Sequence, residues 1–416
     1  MARPRILTFV MAGGKGERLH PLTKDRSKPA VPFGGRYRII DFVLSNLINS
    51  ELRAIYVLTQ YKAQSLVEHL ERGWTWRVGG REGFIRAVPA QMQLGDSWYR
   101  GTADAIFQNL NLVRDYGADV VAIFSADHIY KMNVRQMLEF HLRAGAAATV
   151  SCLPVPRASA TQFGVVAVDD QSRVTGFVEK PADPPAIPGR PDEAFASMGN
   201  YIFNAALLKE VLGDTSSGST HFDFGKDIFP EVSATRPVFA YDFRRNRIPG
   251  LREGEHGYWR DVGTIEAFYE ANMDLKAVVP QLNLYNWQWP IMTARFNDAP
   301  AKFVFDEDGR RGVAVQSVLA SGCLLSGGYV KDSILGRNVV VDAGADVRDA
   351  VLMDNVVIGP GARVRNAIID KNVVVVPGDR IGEDPVRDRE RFVVSPGGIV
   401  VVEKAPDTPE LLSRNW

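Results

Sequence analysis

The sequence predicts an α/β domain followed by a domain of short stacked strands. Apolar strand-like runs alternate with amphipathic helical stretches as far as about residue 275, which is typical of a mostly parallel sheet with helices on both faces. After about residue 300 the helical periodicity disappears, and aliphatic residues recur every six positions. We therefore predict an α/β domain at 1–280, a linker at 281–300 and a second domain at 301–416.

In the first domain, the order of the elements predicts where ligands bind. Strands are expected at 6–11, 54–59, 119–124, 147–155, 164–168, 174–179 and 196–203, with a helix at 64–70. A glycine-rich loop follows the first strand, and Asp127 follows the third. Because ligands collect at the C-terminal ends of strands in open α/β sheets, both are expected at one edge.

In the second domain, the six-residue repeat predicts a hexapeptide β-helix with three strands per eighteen-residue coil. Each coil buries its aliphatic rows by stacking on the next, and one such row is Val341, Val347 and Met353. Several irregular turns leave an irregular β-sandwich as the alternative. In the linker, Trp287 and Trp289 favour packing between the domains over ligand contact.

Composition narrows the range of partners and compartments. The chain has 416 residues with 49 basic and 49 acidic side chains, so charge does not favour nucleic acid or an anionic membrane as partner. Cys152 and Cys323 lie far apart in apolar surroundings, which indicates reduced thiols and a cytoplasmic protein. The first apolar run is short and leads directly into the glycine loop, so we expect neither a signal peptide nor a membrane span.

The glycine loop AGGKGERL (12–19) and the following KPA (28–30) predict a triphosphate site. Glycines let the backbone approach a phosphate closely, and Lys15, Arg18 and Lys28 supply positive charge. The loop matches neither a Walker A motif nor a dinucleotide fingerprint. The alternative is an ordinary tight connection from a strand to a helix.

Further motifs occur in a fixed order along the chain: RIIDFVLSN (38–46), WYRGTADA (98–105), DHIYK (127–131), FVEKP (177–181), ASMG (196–199) and YWRDVGT (258–264). With the glycine loop, this series resembles the sugar-nucleotide pyrophosphorylases and, among them, the bacterial glucose-1-phosphate adenylyltransferases, or ADP-glucose pyrophosphorylases. The resemblance covers nearly the whole chain. It implies a Rossmann-like (GT-A-like) nucleotidyltransferase domain followed by a left-handed parallel β-helix, and transfer of an adenylyl group from ATP to glucose 1-phosphate for glycogen synthesis.

The resemblance also implies roles for individual residues. It assigns catalysis to Arg18, Lys28 and Asp127, and Mg²⁺ binding to Asp127 and Asp261. Nucleotide contacts fall on Ala12, Gly13, Gly14, Lys15, Gly16, Gln60, Gln91, Gly101 and Thr102. Glucose 1-phosphate contacts fall on Tyr99, Gly164, Glu179, Lys180 and Ser197.

Several of these assignments have a plainer structural alternative. Asp127 and Asp261 also suit a helix cap and a turn, and Lys180 suits a solvated surface site. Gly164 and Ser197 could serve packing, and the two glutamines could be ordinary surface residues. His128 is expected to be structural, because an ionised sugar phosphate needs no general base.

For regulation, the resemblance points to phosphorylated metabolites that bind between the domains, and to a homotetramer. Lys404 ends the apolar run GIVVVEK (398–404), and Arg38 is the second expected anion ligand. Asp25 stands where relatives activated by fructose 1,6-bisphosphate often carry lysine, which argues against that activator. A solvated tail position is the alternative for Lys404.

Two other functions remain open at this stage. A pyrophosphorylase that uses UTP or dTTP would share the same chemistry. A non-catalytic sugar-phosphate sensor would share the architecture, but such a protein is expected to lose Lys28, Asp127 or Lys180, and all three are present.

Overall fold

The fold is taken from a computed structural model, which describes residues 4–79, 83–91, 98–213, 222–252, 254–306 and 309–406. The strands of the first domain are β1 (Ile6–Ala12), β2 (Pro32–Phe33), β3 (Tyr37–Arg38), β4 (Ala54–Thr59), β5 (Phe84–Pro89), β6 (Val120–Ser125), β7 (His128–Tyr130), β8 (Ala148–Pro156), β9 (Gly164–Val168), β10 (Val174–Glu179), β11 (Glu193–Asn204), β12 (Val238–Asp242) and β13 (Trp259–Asp261). Its helices are α1 (Ile39–Asn49), α2 (Gln64–Gly73), α3 (Thr102–Phe107), α4 (Leu110–Tyr116), α5 (Val134–Arg143), α6 (Arg157–Ala160), α7 (Ala205–Gly213), α8 (Phe229–Thr235) and α9 (Ile265–Asp274). Each strand predicted above is present, with ends shifted by three residues or fewer.

The main sheet is mixed rather than mostly parallel. Strands β6, β1, β4 and β5 run parallel, but β11 pairs antiparallel with β6, β8 and β9. The cause lies partly in the connection between β9 and β10, which spans only residues 169–173. A parallel crossover needs a dozen or more residues, so this short connection forces a hairpin.

The parallel part of the sheet brings the predicted site to one edge. Ala12 at the end of β1 pairs with Thr59 at the end of β4, and Met11 pairs with Ser125 at the end of β6. The glycine loop, Gln60 and Asp127 follow these three strands directly. Apolar helix faces cover both sides of the sheet, and the buried side chains form two separate core clusters.

The second domain consists of short, mostly parallel strands that stack as a β-helix, as predicted. They are β14 (Lys302–Phe303), β15 (Val313–Val315), β16 (Val318–Leu319), β17 (Leu324–Leu325), β18 (Tyr329–Lys331), β19 (Ile334–Leu335), β20 (Val340–Val341), β21 (Asp346–Leu352), β22 (Val357–Ile358), β23 (Arg363–Ile369), β24 (Val374–Val375), β25 (Arg380–Ile381), β26 (Val393–Val394) and β27 (Val400–Val402). Helix α10 (Pro385–Arg391) interrupts the strands, which the sequence analysis missed. Residues 407–416, the end of the predicted domain, lie outside the described residues.

The coils are shorter than expected. Val347 pairs with Val364, and Val364 with Ile381, so these coils contain 17 residues rather than eighteen. One corner is a residue short, and there Asp349 and Asn366 take left-handed backbone conformations with φ of 48° and 41°. Both side chains belong to residue types that tolerate this conformation.

The shortened corner changes which residues face the interior. Leu352, rather than the predicted Met353, continues the buried row of Val341 and Val347. Met353 instead faces the first domain. On another corner, Asn338 donates to Asn355, and Asn355 to Asn372, over 3.3 and 3.0 Å, so an asparagine ladder ties successive turns together.

One outer face of the β-helix packs against the first domain. Ile334, Val351 and Ile368 stack in register and are buried in the shared cluster. The first domain contributes Phe33, Phe42 and Phe268. Burial of a side chain of this kind stabilises by about 1.5–3 kcal/mol, so this contact fixes the β-helix on the first domain.

The linker behaves only partly as predicted. Trp289 is buried, and its Nε1 donates to Asn46 Oδ1 over 3.3 Å. Trp287, in contrast, is 81% exposed, so the prediction that it packs between the domains is wrong for this chain. The ammonium of Lys131 donates to the carbonyl of Asn283 and anchors the start of the linker.

Among the described helices, none is both long enough and apolar enough to cross a membrane.

Candidate active site

A cavity of about 710 Å³ opens at the C-terminal edge of the parallel strands. Its walls include twelve of the predicted site residues: Ala12, Gly13, Gly14, Lys15, Gly16, Arg18, Lys28, Gln60, Tyr99, Gly101, Thr102 and Asp127. Gly263, two residues beyond Asp261, also lines it. The fold thus brings most of the predicted nucleotide and catalytic residues around one space.

The glycine loop forms one wall of this cavity. Gly16 has φ of 65°, and a β-carbon there would lie 3.0 Å from Lys28 Cβ. A larger residue is therefore excluded both by conformation and by space. Within the described residues, the backbone N–H groups of Gly14 and Lys15 donate to no acceptor, which leaves them available to a phosphate.

Next to the loop, one ammonium bridges two carboxylates. Lys28 Nζ lies 3.0 Å from Asp127 Oδ2 and 2.7 Å from Asp261 Oδ1. Arg18 Nη2 lies 3.7 Å from Asp261 Oδ2. The carboxylates meet because β13 pairs antiparallel with β7 and sets Asp261 opposite His128, the residue after Asp127.

The charges of this cluster shift its pKa values. Burial alone would raise the pKa of Asp127, but His128, Lys28 and the hydroxyl of Ser125 together lower it far below its ordinary value. Burial alone would lower the pKa of Lys28, but the two carboxylates outweigh it and raise the pKa. At neutral pH the cluster therefore holds an ionised Asp127 carboxylate and a charged Lys28 ammonium.

The same carboxylates are suited to a divalent cation. Asp127, His128 and Asp261 offer ligand atoms that lie within 4.8 Å of one another. Oxygen ligands from one or two carboxylates are what Mg²⁺ takes from proteins that bind it together with substrate phosphates. His128 is mostly buried against Trp259, with ring centroids 4.7 Å apart, and burial lowers its pKa.

Four of the five predicted glucose 1-phosphate residues, Gly164, Glu179, Lys180 and Ser197, do not line this cavity and form a second group beside it, whereas Tyr99 lines it. Gly164 pairs with Glu179 across β9 and β10, and Lys180 Nζ lies 4.0 Å from the Glu179 carboxylate. Lys180 has φ of 47°, and its N–H donates to Phe163 over 3.0 Å. Ser197 lies on β11, just before the pairing register with β8 shifts. Gly199 follows within this irregular part of the strand, where a β-carbon would lie 3.7 Å from Ser125 Cβ.

Tyr99, Gly101 and Thr102 surround the start of α3. A β-carbon at Gly101 would lie 2.1 Å from the carbonyl oxygen of Phe222, so this close approach requires glycine. Thr102 Oγ1 donates to Asp223 over 3.3 Å. The Tyr99 hydroxyl accepts from Asn109 over 2.9 Å, which fixes the ring at the cavity wall.

The two predicted glutamines differ in position. Gln60 lines the cavity, and its Nε2 donates to the carbonyl of Tyr99 over 3.3 Å. Gln91 is exposed, donates to the carbonyl of Pro89 over 3.2 Å and does not line the cavity. The structure does not bring the two amides together, and residues 92–97 after Gln91 lie outside the described part of the chain.

The two predicted effector residues do not share one crevice. Lys404 follows β27 and lines a small crevice with Lys24, Asp25, Arg26 and Asp370 at the domain junction. Lys24 is paired with Glu403, and Arg26 with Asp370. Arg38 is not among the described lining residues of this crevice.

Arg38 is instead held at the start of α1 by a buried network. Asp41 accepts from the Arg38 N–H over 2.8 Å and from Trp74 Nε1 over 2.8 Å, and it lies 2.6 Å from His69 Nε2. The Arg38 guanidinium donates to the carbonyl and the hydroxyl of Ser65, over 2.6 and 2.9 Å. Arg38 therefore links the domain junction to α2, the helix that begins four residues after Gln60.

Sequence reasoning missed two residues of the site. The Ser125 hydroxyl donates to Asp127 Oδ1 and leaves Oδ2 facing Lys28. Its position at the end of a strand, two residues before an expected ligand, was an available signal. Trp259 is buried beside His128 and Phe163, and its Nε1 has no partner among the described residues, a feature that only the packing reveals.

Comparison with known proteins agrees with this architecture. Residues 7–278 match the nucleotidyl transferase family, and residues 299–402 match the GlmU-like C-terminal hexapeptide family. The chain is 53% identical to a glucose-1-phosphate adenylyltransferase of Thermus thermophilus, over 97% of this chain and 99% of the relative. It is 51% identical to the protein of that name from Deinococcus deserti, over 97% of this chain and 99% of the relative. It is also 51% identical to the one from Mycolicibacterium smegmatis, over 96% of this chain and 98% of the relative.

The Asp41 network predicts an acid-sensitive contribution to stability. Burial alone would raise the pKa of Asp41, but His69, Thr293 and the Arg38 N–H together lower it. Its contribution is therefore complete above the unfolded pKa of about 3.9 and is lost as the pH falls through the lower folded-state pKa. Asp41→Asn should reduce the free energy of unfolding by about 3 kcal/mol at pH 7, and by progressively less below pH 4.

Urea unfolding of both proteins between pH 7 and pH 2.5 measures this difference. The exposed Asp170→Asn serves as the matched control and should leave the curve unchanged. A difference between wild type and Asp41→Asn that stays constant across this range would contradict the ionised state assigned to Asp41.

Proposed function

The chain belongs to the glucose-1-phosphate adenylyltransferase family of nucleotidyl transferases, and from this we propose that it joins ATP and glucose 1-phosphate to give ADP-glucose and pyrophosphate. The observation that carries the proposal is the cluster in which Lys28 bridges Asp127 and Asp261 next to the glycine loop. It combines cations for phosphate oxygens with carboxylates for a divalent ion. ADP-glucose made in this way would serve glycogen synthesis.

The chemistry depends mainly on overcoming the repulsion between two anions. An oxygen of the sugar phosphate attacks the α-phosphorus of ATP in line, and pyrophosphate leaves. The nucleophile is already ionised, so no protein nucleophile or general base is required. Arg18, Lys15 and Lys28 supply positive charge where the negative charge of the transferred and leaving groups develops.

The glycine loop and the carboxylates divide this work. The free N–H groups of Gly14 and Lys15 suit the leaving phosphates of the nucleotide. Asp127 and Asp261 would hold Mg²⁺, which when bound neutralises phosphate charge and orients the reacting groups. Ser125 holds Asp127 Oδ1, so Oδ2, which contacts Lys28, would be the oxygen offered to the ion.

We assign the sugar phosphate to the group beside the cavity. The side chain of Lys180 is 60% exposed, so its ammonium is accessible to a phosphate. Glu179 can accept hydrogen bonds from sugar hydroxyls. The absence of a side chain at Gly164 leaves space for the Glu179 carboxylate, because a β-carbon at Gly164 would lie 2.9 Å from a Glu179 oxygen. Tyr99 and Ser197 complete the proposed site.

The adenine would lie near Gln60, whose amide faces the glycine loop. An amide can pair bidentately with the edge of adenine. Gln91 would join it only after its exposed segment moves from the position described above. The choice of ATP rests on the relatives, which are named adenylyltransferases, and UTP or dTTP remain the alternatives within the same chemistry.

Pyrophosphate release with glucose 1-phosphate and each nucleoside triphosphate tests the proposal. We expect turnover with ATP, much slower turnover with UTP and dTTP, and loss of turnover when a chelator removes the divalent ion. Preference for another nucleotide would contradict the assignment to ATP. Absence of turnover with all three would favour the non-catalytic sensor.

Lys180→Ala should mainly raise the KM for glucose 1-phosphate, by about 10- to 100-fold. A lysine that binds the ground-state phosphate contributes similar binding to substrate and transition state, so kcat should change less. Steady-state kinetics with each substrate varied in turn measures the split. The exposed Lys209→Ala should leave both constants unchanged. A rise in the KM for ATP instead would move Lys180 to the nucleotide site.

For regulation, we propose that a phosphorylated metabolite binds at the domain junction near Lys404. The support is the crevice in which Lys24, Arg26 and Lys404 gather between the two domains. Arg38 would take part through its contact with Ser65, which lies close to the loop that carries Gln60. Binding would favour the competent arrangement of the glycine loop and the Gln91 segment. We further propose a cytoplasmic homotetramer.

Lys404→Ala should raise the concentration of activator needed for half-saturation and leave the rate without activator unchanged. The loss of one cation weakens binding of an anionic effector but leaves the catalytic cluster intact. Activation curves over a panel of sugar phosphates measure this effect, with the exposed Lys302→Ala as the control. An unaltered curve for every activating compound would remove Lys404 from the effector site.

A further inference from the structure

The position of Lys28 bears on how a metal ion enters the site. Its side chain is 7% exposed, and its ammonium contacts both Asp127 and Asp261. Arg18 is the next cation, but it lies farther from Asp261 and has 70% of its side chain exposed. In this structure Lys28 therefore balances most of the charge of the carboxylate pair.

A divalent ion on the same carboxylates would stand close to this ammonium. Mg²⁺ binds carboxylate oxygens at about 2.1 Å. Lys28 Nζ lies 3.0 Å from Asp127 Oδ2 and 2.7 Å from Asp261 Oδ1, so an ion bound to these same two oxygens would lie about 5 Å or less from the ammonium. Cations at such a distance in a buried site repel each other strongly.

The surroundings of Lys28 offer the ammonium another partner when a nucleotide is bound. Lys28 begins a short helical turn behind the glycine loop and lines the same cavity. Gly16 packs against its β-carbon, so the base of the side chain is fixed next to the loop. The four-carbon stem of a lysine rotates freely, and a triphosphate in the loop would present oxygens within its reach.

We propose that Lys28 is the resident counter-ion of the Asp127–Asp261 pair, and that this ammonium and the divalent ion occupy the pair alternately. Without nucleotide the ion must displace an ammonium that has no other anionic partner among the described residues, so the ion binds weakly. A bound triphosphate takes over Lys28 and frees the carboxylates, so that ion and nucleotide bind cooperatively. The proposal rests on the proposed function in one respect, the triphosphate in the glycine loop.

Mn²⁺ binding to the nucleotide-free protein, followed by electron paramagnetic resonance, tests this directly. Lys28→Met should bind Mn²⁺ about tenfold or more tightly than wild type, because the competing charge is gone. Two control variants are available. Lys28→Arg keeps the charge, and Lys15→Met removes a charge of the glycine loop that contacts neither carboxylate. The Mn²⁺ affinity of both variants should stay within about twofold of wild type.

Equal Mn²⁺ affinity of wild type and folded Lys28→Met would overturn the proposal. Lys28→Gln, which keeps a polar group between the carboxylates, provides a second uncharged variant if Lys28→Met fails to fold, and the same gain in affinity is expected. Pyrophosphate release by the wild type is measured separately. ADP-glucose synthesis without a gain in Mn²⁺ affinity would refute this inference alone, whereas a gain in affinity without synthesis would refute the proposed function alone.

Discussion

Two carboxylates held beside each other require a cation, and much of the first domain serves to meet this requirement. The pairing of β7 with β13 brings Asp261 to Asp127, and Lys28 lies between them. The register of β1 with β6 then sets the glycine loop next to this cluster. The result is a site that combines cations, carboxylates and backbone N–H groups, which is what the joining of two phosphates needs.

Much of this arrangement could be predicted, because the local sequence decides it. Apolar runs that end in AGGKG and in Asp127 fix strand ends at one edge of a sheet, whatever the remaining topology. Two features could not be predicted in this way. The bridge between Lys28 and Asp261 depends on a pairing between segments more than 120 residues apart. Trp287 is exposed and Trp289 is buried, although both lie in the same short stretch of the linker. Only tertiary packing decides which of the two is buried.

The β-helix shows a smaller failure with a clear physical cause. A strict six-residue repeat assigns Met353 to the interior, but left-handed residues such as Asp349 shorten one corner and move Leu352 into that row. Met353 then packs on the first domain. The same shortening thus supplies part of the contact that fixes the two domains together, next to the crevice of Lys404 and Arg26.

In the proposed exchange, the carboxylate pair gives up an internal ammonium for a divalent ion when the nucleotide binds. Anomalous diffraction from crystals grown with Mn²⁺ and a non-hydrolysable ATP analogue would show this exchange. We expect a Mn²⁺ peak bonded to oxygens of Asp127 and Asp261, with Lys28 Nζ turned toward the phosphates. A Mn²⁺ ion held elsewhere, with Lys28 still bridging both carboxylates, would contradict it.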